Sequence, residues 1–481
     1  MKRLILALLV AGAPLAAAQT PKLRALIFSG RNNHDWRTTT PYLKKLLLDT
    51  GRFDVRVNEE PEGNSAATLA PYDVLVLDYC GARWGELTEK AVERYVSSGK
   101  GLVVFHAASY PFGEAPILGE NMTNTGRTEP PWPEYRKMVG AYWSKDEKPI
   151  TGHGPRHSFQ VKWTRRDHPI ARGLAESFWA TDELYHNFRM LPAAEVLATA
   201  FDDPKFAGNG NDTPILWTVA YGKGRVFHTA LGHNLAAIQE PGFVTSFARG
   251  AEWAASGAVS PPAPPPPQTR LLVVTGGHAY DTTFYTLFEG YPDLAWSHET
   301  SIRTAFRKDI RENFDTVLFY NMEQELNEAG RKNLQDFVEA GKGVVTLHHA
   351  AANFNSWPWW YEQVSGVKYF LKAEAGHPAS TYRHDIELFA TPAAKHPVVG
   401  DAGPMHFIDE GYKGMWISPR AQVLYTTEHP DADKPSVWVM PHEKARLVTI
   451  LLGHDHHSHV NGGFRRLVKN AIDWTADTKS K

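Results

Sequence analysis

Short apolar runs alternate with amphipathic stretches along the chain, and this alternation predicts strands followed by helices. The runs at 72–78 and 314–320 lack the polar alternation of a half-exposed strand, which indicates strands buried on both faces of a parallel sheet. Helical patterns follow them, over 87–98 and 326–340. Each predicted helix ends before a glycine that suits the left-handed conformation of a helix end, Gly99 and Gly341.

The same order of features occurs twice, which indicates an internal duplication. Residues 99–108, Gly-Lys-Gly-Leu-Val-Val-Phe-His-Ala-Ala, align with 341–350, Gly-Lys-Gly-Val-Val-Thr-Leu-His-His-Ala. Later segments also recur, in the pairs 182–185 with 409–412 and 231–234 with 452–455. Between the copies lies 259–268, a proline-rich segment that we expect to be an extended linker.

Strands that alternate with helices imply right-handed crossovers and a mostly parallel sheet with helices on both faces. We therefore predict an α/β protein with two tandem flavodoxin-like domains, over 22–256 and 269–476. A chain of 481 residues is long enough for two such cores. Because ligands of these sheets bind beyond the carboxyl ends of the strands, the residues that follow each strand are the candidates for function.

Residues 1–18 have the features of a secretory signal peptide. Lys2 and Arg3 precede an apolar stretch over 4–15, and we expect cleavage after Ala18. No later segment is long and apolar enough to span a bilayer. The mature protein is therefore expected to be periplasmic or secreted.

Composition narrows the class of partner. The formal net charge is −2, and the basic residues form no stripe, which argues against nucleic acid and anionic membranes as partners. The single cysteine, Cys80, permits no internal disulfide and is expected to be a buried thiol. With 15 tryptophans and 18 tyrosines, the chain has many rings of the kind that stack on sugars, although most should pack in the cores. No feature of the sequence indicates an oligomeric state.

Three histidines in each copy directly follow predicted strands. They are His34, His106 and His233 in the first copy, and His278, His348 and His454 in the second. Neutral imidazoles that converge on one sheet edge are the ligands that zinc and similar divalent metals prefer. We predict one such metal site in each copy. Acid/base catalysis, or a folding role shared by both copies, would explain the repetition equally well.

An acidic residue repeated in both copies is the candidate for proton transfer. Glu183 and its counterpart Glu410 each follow an aspartate and stand two residues before a tyrosine. Glu183 could act as a general base, orient an imidazole or complete a metal shell. The alternative is a helix start capped by Asp182. His186 is a further catalytic candidate in the first copy alone, since Lys413 takes its place in the second.

The candidate substrate-binding residues are aromatic or polar and lie near these groups. They are Trp36, Tyr185, Asn234, Trp357 and Tyr412. Trp357 belongs to an aromatic cluster over 357–361, which could form a sugar platform or a packed helix start. The run 454–459 contains four histidines that could bind a metal, although a solvated histidine-rich loop is the plainer interpretation.

Taken together, these motifs resemble the ThuA-like, or trehalose-utilisation, family. The resemblance rests on the strand and turn at 99–108, on Asp-Glu-Leu-Tyr at 182–185, and on 219–227 leading to His233. It implies a fold similar to class I glutamine amidotransferases and a function in carbohydrate processing. It also implies breakdown of 3-keto-glycosides, in some members with a divalent metal. Phe-His-Ala at 105–107 replaces the nucleophilic cysteine of the amidotransferases, so glutamine hydrolysis is not expected.

We expect an exported enzyme that cleaves 3-keto-glycosides, by elimination and hydration or by hydrolysis, with a divalent metal such as zinc. The alternative is a non-catalytic carbohydrate-binding or scaffold protein, because the copies differ: 221–225 is Tyr-Gly-Lys-Gly-Arg, whereas 442–446 is His-Glu-Lys-Ala-Arg. Plain metal-dependent hydrolysis of a glycoside or ester is a further alternative. No nucleotide cofactor and no serine nucleophile are expected, because their glycine-rich motifs do not occur.

Overall fold

The computed structural model describes residues 21–110, 112, 129–260, 268–291, 293–374 and 376–477. It contains two nine-stranded sheets, one in each copy of the duplication. We call residues 22–256 domain one and residues 269–476 domain two. The predicted signal peptide and most of the predicted linker lie outside the described residues.

Domain one has short helices between its first strands and hairpins between its later ones. Its strands are β1 Leu23–Phe28, β2 Phe53–Asn58, β3 Val74–Leu77, β4 Gly101–Phe105, β5 Ala141–Tyr142, β6 Gly152–His153, β7 His157–Trp163, β8 Ser177–Asp182, β9 Tyr185–His186, β10 Arg189–Met190, β11 Ala194–Phe201, β12 Asp212–Tyr221 and β13 Gly224–Thr229. Its helices are α1 Trp36–Asp49, α2 Ala66–Leu69, α3 Glu86–Ser97, α4 Pro133–Val139, α5 Leu235–Ile238 and α6 Pro241–Ser256.

The large sheet of domain one has the order β2-β1-β3-β4-β13-β12-β11-β7-β8. The first five strands pair in parallel and the remaining pairs are antiparallel. The predicted α/β fold is confirmed, but the sheet is mixed and not mostly parallel. The reason lies in the short connections of the second half: a two-residue turn, with Gly222 at a φ of 60°, joins β12 to β13 and leaves no room for a crossover.

Domain two repeats this plan. Its strands are β14 Thr269–Gly276, β15 Leu294–Glu299, β16 Thr316–Asn321, β17 Gly343–Leu347, β18 Val367–Lys368, β19 Thr381–Pro392, β20 Met405–Lys413, β21 Trp416–Ile417, β22 Gln422–Thr426, β23 Pro435–Met440 and β24 Leu447–Ile450. Its helices are α7 Ile302–Ala305, α8 Glu328–Glu339, α9 His456–His459 and α10 Gly462–Ala476. The sheet order, β15-β14-β16-β17-β24-β23-β22-β19-β20, matches domain one strand for strand at the parallel end. A 3-10 segment, Thr282–Phe288, stands where domain one has α1.

Each large sheet is covered on both faces, as predicted. In domain one, Leu43 of α1 and Phe247 of α6 belong to the core on one face, whereas Val92 of α3 and Met138 of α4 belong to the core on the other. Domain two likewise has two separate cores. Burial on both sides explains why the central strands are apolar throughout. None of the described helices is long and apolar enough to cross a membrane.

The two domains contact each other through α1 and α5 of domain one and the Thr282–Phe288 segment and β15 of domain two. Lys44 of α1 lies 2.7 Å from the carboxylate of Glu289. The side chain of Gln239 bonds to the backbone of His298 twice, donating to its carbonyl at 2.8 Å and accepting from its amide at 3.2 Å. Polar contacts of this kind fix the orientation of the interface.

Candidate functional site

The candidate site of domain one lies beyond the carboxyl ends of β1, β4 and β13. His106 directly follows β4, and its backbone has a φ of 45°, in the left-handed region that residues with a side chain rarely adopt. His348 follows β17 with a φ of 50°, so the strained turn is present in both domains. Strain of this kind is often retained where a side chain must be aimed at a ligand.

Three predicted histidines of domain one converge. His34 and His106 face each other with their Nε2 atoms 3.3 Å apart. The ring centroids of His34 and His233 are 4.9 Å apart. His106 Nδ1 lies 2.7 Å from the Ala230 carbonyl oxygen, so Nδ1 carries the proton and Nε2 carries the lone pair. A histidine held in this tautomer is ready to act as a ligand or a base.

Burial favours the neutral form of two of these imidazoles, His34 and His106. Burial, together with the neighbouring His233, lowers the pKa of His34 to about 4. Burial and the nearby His34 hold the pKa of His106 well below its usual value. Neutral imidazoles are the form that binds metals, because a protonated ring has no free lone pair.

A buried polar chain lies beneath His34. Asn32 Oδ1 is 3.3 Å from His34 Nδ1, and the Asn32 amide donates to Asp78 at 2.8 Å. Asp78 also accepts hydrogen bonds from the hydroxyls of Thr39 and Thr40. Burial raises the pKa of Asp78 to about 6, despite these hydrogen bonds. These hydrogen bonds hold the His34 ring in place, as the residues behind a metal ligand commonly do.

Asp182 and Glu183 have separate roles at this edge. Asp182 ends β8 and does not cap a helix: its carboxylate accepts from the backbone amides of Gly232 at 2.7 Å and His233 at 3.1 Å. Burial raises its pKa to about 6. Glu183 Oε2 lies 3.2 Å from His233 Nδ1. Burial alone would raise the pKa of Glu183, but the contact with His233 and the charges of His233 and His153 outweigh it and lower the pKa.

Tyr185 closes the site from the side. Its hydroxyl lies 2.6 Å from His106 Nε2, and its ring stacks on the imidazole at a centroid distance of 4.4 Å. His153, on β6, lies 3.6 Å from Glu183 Oε2, and its side chain is 39% exposed. Sequence reasoning missed His153, because its segment has no recognisable counterpart in the second copy.

The donor set of domain one fits a divalent metal. Donor atoms of His34, His106, Glu183 and His233 all lie within 4.8 Å of one another. His233 Nδ1 is buried, and no described residue makes a well-aligned hydrogen bond to it. Its nearest acidic partner is Glu183 Oε2, at 3.2 Å, so the two groups could share one ion. Three imidazoles are enough to hold zinc or a similar ion, and Glu183 then stands beside the ion as a possible fourth ligand or as a base.

Domain two gathers a different set. His348 Nε2 lies 3.1 Å from Glu410 Oε2, 2.9 Å from the Tyr412 hydroxyl and 3.2 Å from His454 Nδ1. His384, which sequence reasoning also missed, lies 3.0 Å from Glu410 Oε1. His348, Glu410 and His454 form a group of three donors that could hold a metal, compared with four in domain one.

The electrostatics of the two sites also differ. Burial alone would lower the pKa of His348, but Glu410 and Asp409 outweigh burial, and the pKa is raised. Burial would raise the pKa of Glu410, but His348 and Tyr412 reverse this, and the pKa falls to about 2. The contact between His348 and Glu410 therefore favours the charged form of both groups, whereas burial favours the neutral form of His34 and His106 in domain one.

The predicted ligand His278 does not join the donor group of domain two. Its Nδ1 lies 2.6 Å from the Ala279 carbonyl oxygen, and its ring stacks on His349 at 4.3 Å. Counting four residues on from Gly30, just after β1, leads to His34, and counting four on from Gly276, the last residue of β14, leads to Tyr280. Tyr320 likewise stands at the position of Asp78. The residues just before them, Phe319 and Leu77, occupy equivalent register positions in the two sheets. In domain two, tyrosines therefore stand at the counted positions of His34 and of Asp78, the last member of the polar chain.

A cavity of about 540 Å³ opens above the domain-two group. Its lining includes His278, His349, Tyr369, Tyr382, His384 and Tyr412. Trp357, a predicted sugar platform, is not part of it: this side chain is 8% exposed and packs in the core against Phe354 and Trp359. The aromatic residues of 357–361 thus belong mainly to packing.

The other predicted residues have structural partners. His186 Nδ1 bonds to the Asp202 carboxylate at 2.8 Å and does not join the four donors. Asn234 caps α5 by accepting from the Ala237 amide. Trp36 is buried at the start of α1. Cys80 is a buried thiol, and burial raises its pKa to about 12.

With this geometry in place, comparison with known proteins decides the family. The family model for ThuA, described as trehalose utilisation, matches residues 24–254 and 272–475. The chain belongs to the ThuA family. The match covers both domains, so this is a tandem ThuA protein, and the family description indicates a carbohydrate-related function.

Similar solved structures each cover about half of the tandem ThuA chain. A ThuA-like protein from Parabacteroides merdae is 31% identical, with 51% of this chain and 94% of that chain covered and a TM-score of 0.44. A ThuA-like protein from Bacteroides uniformis is 21% identical, with 52% and 98% covered and a TM-score of 0.39. A β-galactosidase from Rahnella sp. R3 is 18% identical, with 49% and 31% covered and a TM-score of 0.32. No curated protein matches the chain.

Proposed function

We propose that this ThuA protein is an exported enzyme that cleaves the glycosidic bond of a 3-keto sugar, and that the chemistry takes place in domain one. The observation that carries the proposal is the convergence of three histidines and Glu183 at one sheet edge, with His34 and His106 held neutral by burial. The carbohydrate-related function of the family supports the substrate class.

The proposed reaction is elimination followed by hydration. A ketone at C3 acidifies the hydrogen at C2, so a base can remove that proton. The C2 electron pair then forms the C1–C2 double bond as the C1–O bond breaks, and the leaving oxygen takes up a proton. Water adds across the double bond to give the free keto sugar. A divalent metal bound by the three histidines would supply Lewis-acid polarisation of the ketone.

Glu183 is the proposed base. Its lowered pKa keeps the carboxylate ionised, and it lies at the same edge as the three imidazoles. His153 is partly exposed and lies 3.6 Å from Glu183 Oε2, so it would pass the proton from Glu183 to solvent. Tyr185, which is fixed against His106, would orient the ring.

The keto group is the first feature to test. We expect turnover of a 3-keto-glycoside and none of the parent glycoside. In D₂O, elimination and hydration place deuterium at C2 of the product, which mass spectrometry detects. Equal turnover of both substrates without deuterium at C2 would instead support plain metal-dependent hydrolysis.

A binding or scaffold role is the second candidate, and the ion pair of domain two favours it for that domain. His348 and Glu410 neutralise each other, and Glu410 is also held by His384. A domain with these contacts could retain a sugar in its cavity without cleaving it. Saturable sugar binding without turnover by the whole protein would make this role the better description.

Export is proposed from residues 1–18. We expect the protein recovered from the periplasm or the medium to begin at Gln19. Intact-mass measurement of the recovered protein checks this. A full-length chain that stays in the cytoplasm would contradict it.

A further inference from the structure

We propose that domain two carries a divalent transition-metal site outside its cavity, formed by Asp281, Asp455, His456 and His457. Donor atoms of Asp455, His456 and His457 lie within 4.8 Å of one another. Asp281 adds a carboxylate oxygen 3.4 Å from His456 Nδ1. Asp281 comes from a separate segment of the chain and lies beside His456, whereas only the donors of Asp455, His456 and His457 lie within 4.8 Å of one another.

Both imidazoles of this group contact a carboxylate. His457 Nδ1 lies 3.1 Å from Asp455 Oδ1, so each imidazole is directed at a carboxylate. The two rings lie 3.8 Å apart, centroid to centroid. Mixed imidazole and carboxylate sets of this kind suit zinc and its neighbours among the divalent metals.

Domain one shows that the fold does not require these histidines. The equivalent turn of domain one reads Asn234-Leu235-Ala236, and it forms the same short helix, capped by the same position. Since both turns fold alike, the two histidines of domain two are not explained by the architecture. His459, in the same run, is different: it is buried and bonded to Thr283 and to the Gly453 carbonyl.

The proposed ligands are accessible to a hydrated ion. The side chains of His456 and Asp281 are 54% and 50% exposed. His454 precedes them in the chain but belongs to the cavity group with His348, so the two sets do not share a ligand. Water would complete the coordination on the open side.

A metal at this position would have a structural consequence. Asp281 lies in the loop after β14 and Asp455 caps α9, so a shared ion would join two segments distant in the chain. Thr282, next to Asp281, donates a hydrogen bond to Glu59 of domain one at 3.0 Å. The ion would therefore stabilise a loop that borders the contact between the domains, because ligands that bind only the folded state add to its stability.

The test replaces His456 and His457 by the residues at the equivalent positions of domain one, Leu235 and Ala236. We compare the metal-free whole protein with the double variant His456→Leu/His457→Ala by calorimetric titration with Zn²⁺ alone. We expect the wild-type protein to bind one more equivalent of Zn²⁺ than the variant. Asp455→Asn keeps the helix cap, as Asn234 does in domain one, and should weaken this site at least about 10-fold. His406→Ala, an exposed histidine of β20, should leave the stoichiometry unchanged.

The same titration in a His106→Ala background separates this site from the proposed active site, since the difference of one equivalent should persist there. Zn²⁺ should also raise the Tm of the wild-type protein more than that of the double variant. Equal stoichiometry and equal thermal shifts for the two proteins, with circular dichroism showing both folded, would overturn the proposal.

Discussion

Glu183→Gln should lower kcat on a 3-keto-glycoside by about 10²–10⁴-fold, the range typical of a lost general base. Glutamine keeps the size of the side chain and can still contact His233, but it cannot accept a proton. The side chain is only partly buried, so the fold should tolerate the change. Steady-state kinetics measure the loss, and circular dichroism checks the fold.

The matched control is Glu195→Gln, which removes an exposed carboxylate of the same domain, paired with Arg165. It should leave kcat within about twofold, because exposed ion pairs contribute little. If Glu183→Gln retains the wild-type kcat, Glu183 is not the base. If Glu410→Gln produces the large loss instead, the chemistry belongs to domain two and its ion pair must be the reacting pair.

The parallel half of each sheet was predictable from sequence, whereas the antiparallel half was not. Continuous apolar runs such as Val74–Leu77 and Val317 to Tyr320 mark strands buried on both faces. Strands β7 and β19 alternate exposed and buried residues, which also suits a hairpin at the surface. Because the pairing of such strands depends on turns such as the one at Gly222, the sequence pattern alone did not reveal it.

The internal repeat identified the centre of each site but not its periphery. His106 and His348 follow equivalent strands with the same left-handed backbone, and repetition marked both. His278 was paired with His34 because both are histidines after a first strand, yet counting from Gly30 and Gly276 places Tyr280 at the position of His34. Repetition detects residues that both copies retain, and it misses those that each copy acquired separately.

His153 and His384 show this limit most clearly. Each lies beside the carboxylate that is present in both copies. His153 is 3.6 Å from Glu183, and His384 is 3.0 Å from Glu410. One comes from β6 and the other from β19, so no alignment of the copies relates them. The two domains thus reach a similar contact from different segments. Only the folded chain reveals it.

The backbone at Gly232 accounts for much of the geometry of site one. Its φ is 135°, and a Cβ added there would lie 2.1 Å from the Phe105 ring and 3.1 Å from His106 Cβ. The Gly232 amide also donates to the buried Asp182 carboxylate. Glycine is required here both for its conformation and for the close approach of the strand that carries His106.

Gly232→Ala should therefore destabilise the protein by about 3 kcal/mol, the sum of backbone strain and overpacking. Urea unfolding measures the change. Gly173→Ala is the matched control: Gly173 has a φ of 79°, but nothing lies within 4 Å of the added Cβ, so only the strain of about 1 kcal/mol remains.

Gly453→Ala extends the comparison to domain two. Its φ is 118°, and the nearest atom to the added Cβ, in the Phe464 ring, is 2.8 Å away, so the crowding is milder than at Gly232. The expected order of destabilisation is Gly232, then Gly453, then Gly173. Equal effects at Gly232 and Gly173 would mean that crowding against Phe105 contributes nothing. The turn would then hold His233 near His106 through the Asp182 hydrogen bonds alone.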